Sequence, residues 1–215
     1  MKKLVIFDLD GTLLDTVADL AQATNQALAA CGFPEHPVDA YNFFVGNGIM
    51  KLFERALPEN DRTPENILRI WELFVPYYND HSADLTRPYP GITELLAQLQ
   101  ANGIGLAVAS NKYDAATKEL AARFFPGIRF AIVLGSREGV PPKPDPAIVG
   151  DILAATGYER QDTVFTGDSG VDMQTAANSG VTAVGVTWGF RPREELEKYS
   201  PEHIINSPGE LLEII

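Results

Sequence analysis

The sequence predicts an α/β fold: a doubly wound, mainly parallel, Rossmann-like sheet core carrying an inserted all-helical cap domain. Three observations predict it. Residues 3–8 form a continuous apolar run, the pattern of a parallel strand covered on both faces. Residues from about 16 to 84 show several helical patterns and no convincing strand. After "RPYPG" at 87–91, strands and helices alternate.

Taken in order, the strand at 3–8 comes first. From Thr16 to Cys31, Val17, Leu20, Ala21, Thr24 and Leu28 recur at helical spacing until Gly32 ends the run. Residues 47–57 and 64–80 also read as helices, the second through Ile67, Ile70, Trp71, Phe74 and Val75. The prolines and glycine of 87–91 mark a linker or hinge. Helix 92–101 then leads to strand 104–110, helix 114–124, strand 130–134 and helix 145–157. Strand 162–167, helix 171–179, strand 182–186 and a last strand near 203–205 complete the series.

The chain thus divides into an α/β core, 1–15 and 87–215, and a helical cap, 16–86, inserted after the first strand. Such an insertion stands over the carboxyl ends of the strands, where open α/β sheets bind ligands. It could act as a lid turning about 15–16 and 84–90.

Composition narrows the function classes. With 215 residues, 45% of them hydrophobic, the chain can bury one sizeable core and is not disordered. No apolar run approaches the ~18 residues of a membrane span. The formal charge of −12 argues against broad nucleic-acid binding, and a small anionic substrate would need a local cation site. The apolar stretch after Lys2 and Lys3 stops at Asp8, too short for a secretory signal. Cys31 is the only cysteine, so an internal disulfide is excluded and a reducing, cytoplasmic setting is expected. His36, His81 and His203 are widely separated and offer no metal-ligand pair.

Polar residues cluster at four strand ends: Asp8 with Asp10, "SNK" at 110–112, "KPDP" at 143–146 and "GDSGVD" at 167–172. Singly, Ser110 and Asp168 could cap helices, Lys143 could be a surface charge and Asp172 a solvated helix residue. A parallel sheet would bring all four places to one edge, where they supply the parts for phosphoryl transfer. A carboxylate nucleophile can accept a phosphoryl group as an aspartyl-phosphate. Like charges 4 Å apart repel by about 4 kcal/mol at an effective dielectric near 20, so attack on a phosphate dianion needs a cation. Mg²⁺ held by Asp8 and Asp168 would offset the repulsion, and Lys143 would add a second cation. Ser110 and helix-opening N–H groups would hold phosphate oxygens.

Other readings fit less well. An EF-hand over 8–19 would need a ligand side chain at Thr12 and glycine at Leu13. A serine hydrolase using Ser169 is the alternative from another class, but Val171 stands where the nucleophile elbow needs glycine.

"DLDGTLLDT", "VASNK", "KPDP" and "GDSGVDMQTAANSGV" resemble the four ordered motifs of the haloacid dehalogenase-like superfamily over essentially the whole chain. "GVTWGF" at 185–190, "HIINSPGELLEII" at the C-terminus and the helical insertion resemble its phosphoglycolate phosphatase-like branch. The resemblance implies Asp8 as nucleophile and Asp10 as general acid/base. It implies Ser110, Asn111 and Lys143 as phosphate-binding residues. Mg²⁺ would be held by Asp8, the backbone carbonyl of Asp10, and Asp168, with Asp172 in support.

In that branch a glycine-bearing cap segment is implicated in substrate binding, which matches Gly46, Asn47 and Gly48 of "FFVGNGI"; the same stretch also reads as an ordinary turn. The implied partner is a small phosphorylated metabolite such as 2-phosphoglycolate, with no nucleic acid and no membrane. A sugar-phosphate mutase or pyrophosphatase of the same superfamily is the alternative. Trp188 and Phe190 either line the pocket or pack the core.

Overall fold

In the computed structural model, which describes residues 2–215, the apolar run Leu4–Phe7 forms β1 and all four side chains are buried. The two-residue strand β2 (Leu14–Asp15) is followed by helices α1 (Val17–Ala30), α2 (Tyr41–Phe44), α3 (Ile49–Ala56) and α4 (Pro64–His81). β3 (Arg87–Pro88) returns the chain to α5 (Ile92–Ala101), β4 (Gly105–Tyr113), α6 (Asp114–Phe124) and β5 (Ile132–Ser136). Then come α7 (Ala147–Thr156), β6 (Thr163–Gly167), α8 (Gly170–Ser179), β7 (Thr182–Val186), α9 (Arg193–Glu197) and β8 (His203–Ile205).

Six of these strands form one parallel sheet in the order β5-β4-β1-β6-β7-β8. Period-two alternation sorts the side chains. Val5, Phe7, Leu106, Val108, Val164 and Val184 pack with Leu95, Leu96 and Leu99 of α5 on one face. Leu4, Ile6, Ala107, Ala109 and Phe165 pack with α7 and α8 on the other. The strand order reverses at β1, so the carboxyl end of β1 lies at the topological switch point.

Helices α1–α4 bury a separate apolar cluster of Leu20, Leu28, Tyr41, Phe53, Ile70 and Phe74. Phe53 meets Phe74 edge-on at 5.1 Å, and Phe74 stacks on Tyr78 at 4.9 Å. α4 starts at Thr63, whose Oγ1 accepts from the Asn66 N–H, with Pro64 opening the helix. Tyr113, Ala116 and Phe190 join the helical cluster to the sheet side.

The stretch 87–91, expected as a linker, begins as a strand. Arg87 and Pro88 pair antiparallel with Asp15 and Leu14, so the two chain crossings between sheet and helices run side by side. Asp19 in the first turn of α1 fixes the returning chain. Its carboxylate accepts from the Leu85 N–H, the Thr86 N–H at 2.8 Å and the Thr86 hydroxyl at 2.7 Å. β4 runs three residues beyond the expected end because Asn111 and Lys112 are buried despite their polarity. The short helices α2 and α9 have too few turns to show a period in the sequence.

Candidate active site

Asp8 continues the line of β1, its N–H donating to the Thr166 carbonyl at 2.9 Å. Its Oδ1 accepts from the Leu9 N–H at 2.7 Å and faces Lys143 Nζ at 2.9 Å. Lys143 also donates to Asp172 Oδ1 at 2.7 Å. The second oxygen of Asp172 accepts the Ser169 N–H at 3.1 Å and the Ser169 hydroxyl at 2.6 Å. Asp168, just beyond β6, accepts from the Phe190 N–H at 2.8 Å and from the Thr12 hydroxyl at 3.3 Å. Asp8, Lys143, Asp168 and Asp172 are all buried.

Glycine makes this crowding possible. Gly11 has φ +85°, and a Cβ there would sit 2.7 Å from Asp168 Cγ and 2.9 Å from its Oδ1. Gly11 therefore both turns the chain after β1 and leaves room for the acid arriving from β6.

Three carboxylates, Asp8, Asp168 and Asp172, bring oxygen atoms within 4.8 Å of one another, against the single ammonium of Lys143. At that separation each ionised pair repels by about 3.5 kcal/mol at an effective dielectric near 20. Burial pushes the Asp8 carboxyl up to about 7; Lys143 opposes the rise, and Asp172 and Asp10 add to it. Asp168 is raised too, first by burial and then by Asp172 and Asp8. Burial works against the Lys143 charge as well, but Asp172 and Asp8 more than offset it and hold the ammonium protonated. The cluster retains excess negative charge made of hard oxygen donors, the chemistry that suits a divalent cation such as Mg²⁺. Asp172 faces the Lys143 ammonium with one oxygen and takes two donors from Ser169 on the other. Asp168 meets one neutral donor on each oxygen, and both donors to Asp8 fall on one oxygen, so Asp8 and Asp168 are the carboxylates with more capacity to spare.

Asp10 faces a second ammonium. Lys112 Nζ lies 3.1 Å from its Oδ1 and 3.2 Å from its Oδ2, while the Thr16 hydroxyl donates to Oδ1 at 2.7 Å. Above these groups is a small cavity between the sheet edge and the helices. Asp8, Asp10, Asp168, Ser110 and Lys112 line it from below, and Gly46, Gly48, Phe74 and Tyr78 from the helical side. The four polar places therefore do meet at one edge of the sheet.

Two expected residues are engaged elsewhere. Asn111 Nδ2 donates to the carbonyls of Gly46 and Lys143, and its Oδ1 accepts the Lys143 N–H at 2.8 Å. Its side-chain amide ties three chain segments together, with both of its N–H bonds engaged. Asn47 Oδ1 accepts from Arg55 at 2.6 Å, and the residue lines a separate groove beside α3. Ser169 spends its hydroxyl on Asp172, and no histidine lines the cavity, which removes the serine-hydrolase alternative. Phe190 lines the cavity, whereas Trp188 packs on the sheet core and donates to the Thr12 carbonyl at 3.1 Å.

Thr12, Thr16 and Arg191 carry no site role in the sequence reading, and Lys112 stands there only as part of "SNK", without a role of its own. A signal for Lys112 existed: it follows Val108 and Ser110 at period two in an otherwise apolar strand. Thr12 and Thr16 bond to residues whose approach only the fold decides.

Residues 5–186 match the haloacid dehalogenase-like hydrolase family. A phosphoglycolate phosphatase of Neisseria meningitidis is 36% identical over 97% of this chain and 92% of its own length. One from Vibrio parahaemolyticus is 32% identical over 99% and 96%. A solved structure from Lactobacillus delbrueckii subsp. bulgaricus, provisionally named a phosphoglycolate phosphatase, superposes with a TM-score of 0.94. It is 36% identical, over 100% of this chain and 99% of its own.

Proposed function

As the chain belongs to the haloacid dehalogenase-like hydrolase family, we propose that it is a Mg²⁺-dependent phosphomonoester hydrolase working through Asp8, with 2-phosphoglycolate as substrate. The reading rests on one observation above all. Asp8 stands buried at the switch point beneath the cavity, one oxygen held by Lys143 and the Leu9 N–H, with no donor on the other among the described residues. The substrate comes from the names of the relatives, which this chain matches over nearly its whole length.

The residues divide the work as follows. Asp8 attacks phosphorus, the bond from phosphorus to the ester oxygen breaks, and Asp10 gives that oxygen a proton. Asp10 then takes a proton from the water that cleaves the aspartyl-phosphate, releasing orthophosphate and free Asp8. Thr16 and Lys112 fix Asp10 in position for both transfers. Lys143 holds Asp8 and neutralises charge beside it, and Asp172 with Ser169 holds Lys143. Ser110, buried on the cavity floor, offers its hydroxyl to a phosphate oxygen. Asp8, Asp168 and the Asp10 carbonyl would hold Mg²⁺, which supplies charge neutralisation for the phosphoryl oxygens. The fold supplies the cavity walls that limit water.

Phosphate release from 2-phosphoglycolate, with and without Mg²⁺, tests the reading. Wild type is expected to release free phosphate and to yield a trappable phosphoenzyme. Asp8→Asn is expected to fold, to lose at least ~10³-fold in turnover and to form no phosphoenzyme. Near-normal turnover of that variant would remove Asp8 from its role. An isomerised phosphate ester as the product would replace the hydrolase with a mutase.

A further inference from the structure

The cavity holds a buried cation that the reaction above leaves unused. Arg191, on the loop after β7, is 9% exposed and lines the cavity with Asp8, Asp10 and Asp168. Its Nη2 donates to the Val45 carbonyl at 2.8 Å and to the Phe43 carbonyl at 3.4 Å. The guanidinium lies 5.5 Å from the centre of the Phe43 ring. Its Nε is 3.5 Å from Glu195 Oε1, an oxygen that also accepts the Gly170 N–H. Nη1, by contrast, is buried with no hydrogen-bond partner among the described residues.

A buried donor on a cation without an acceptor loses its hydration and gains nothing in return. The neighbours do not supply an acceptor. Lys112, the other cation lining the cavity among the described residues, is already paired with Asp10. The remaining charged groups there are Asp8, Asp10 and Asp168, which would repel a second negative group on a ligand. The Arg191 charge reaches far enough to restrain the rise of the Asp168 carboxyl.

We propose that Nη1 of Arg191 takes the carboxylate of an anionic phosphomonoester whose phosphate lies at Asp8, making Arg191 a specificity-determining residue. The inference rests on the hydrolase reading and assigns a residue to the second anionic group of its substrate. A carboxylate suits the position because it accepts a charge-assisted hydrogen bond from guanidinium. A neutral tail would leave Nη1 unpaired, and a site built for an acceptor discriminates against a ligand that lacks one. Because Nη2 holds the 43–45 segment, the same side chain joins the ligand to the helical layer.

The test is isothermal titration, in Mg²⁺ buffer, with two phosphonates that cannot be hydrolysed. One is 3-phosphonopropionate, which replaces the ester oxygen of 2-phosphoglycolate with methylene; the other is propylphosphonate, which lacks the carboxylate. Wild type is expected to prefer the carboxylate ligand by ~10–100-fold, the range of a charge-assisted hydrogen bond. Arg191→Gln is expected to erase the preference, and Arg191→Lys to keep part of it. No preference in wild type would overturn the proposal, as would equal weakening of both ligands in Arg191→Gln, which marks a residue that only holds the 43–45 segment. If Arg191→Gln does not fold, full preference in Arg191→Lys overturns the role of the planar fork, and a reduced one supports it. An intact preference without phosphate release from any phosphomonoester would instead overturn the hydrolase reading and leave the role of Arg191 standing.

Discussion

Replacing Gly11 with alanine should damage the site by a calculable amount. Two costs add. Gly11 has φ +85°, a left-handed conformation that costs an alanine ~1–2 kcal/mol. The new Cβ would also press on the Asp168 carboxyl group, 2.7 Å from Cγ and 2.9 Å from Oδ1. Overpacking of this kind costs ~1–3 kcal/mol, and Asp168 cannot retreat freely because the Phe190 N–H and the Thr12 hydroxyl hold it. The sum is ~2–5 kcal/mol. Gly157→Ala is the control, since Gly157 has φ +75° but nothing within 4 Å of its would-be Cβ, leaving only the conformational ~1–2 kcal/mol. Urea unfolding of both variants reads the difference, and Mg²⁺ titration of turnover reads the displacement of Asp168. A Gly11→Ala variant no less stable than Gly157→Ala, with an unchanged Mg²⁺ requirement, would refute the reasoning.

Other expectations follow from the same geometry. Asp8 is raised to about 7 in the folded chain against about 4 in the unfolded one, so folding takes up a proton between those values. Stability from this group is full below about pH 4 and is lost as pH rises through about 7; urea unfolding in a chelator should show that fall, and Asp8→Asn should flatten it. Lys112→Met breaks a buried pair and leaves Asp10 to Thr16 alone, which should cost about 3 kcal/mol in chemical unfolding and depress turnover more than substrate affinity. Asp19→Ala strands the N–H groups of Leu85 and Thr86; hydrogen exchange at those two amides should accelerate, with ~1–3 kcal/mol lost and partly regained in Asp19→Asn.

The sheet was legible because strands such as 4–7 and 106–109 are uninterrupted apolar runs, the pattern of a parallel strand covered on both faces, and they alternate with helical patterns. The meeting of Asp8, Ser110, Lys143 and Asp168 followed from that topology, since parallel strands share one carboxyl edge. Hydrogen-bond partners were another matter. The side-chain amide of Asn111 is engaged by the carbonyls of Gly46 and Lys143, an outcome set by loops distant in sequence. The pairing of Lys112 with Asp10 was hidden because a polar residue in a strand reads as the strand's end. β2 and β3 are two residues long, too short for any periodic signal. Arg191 stood in an ordinary-looking Gly-Phe-Arg turn, and only the cavity reveals its unpaired nitrogen.

The pairing of Asp15 with Arg87 carries a wider consequence. Opposed residues of antiparallel strands lie only ~5 Å apart, so the gap spanned by everything from 16 to 86 is the width of a hairpin turn. Loops could lengthen there, or whole helices be gained or lost, without pulling on the six-stranded framework. Chemistry at the sheet edge and selection of molecules above it can thus diverge along separate evolutionary paths.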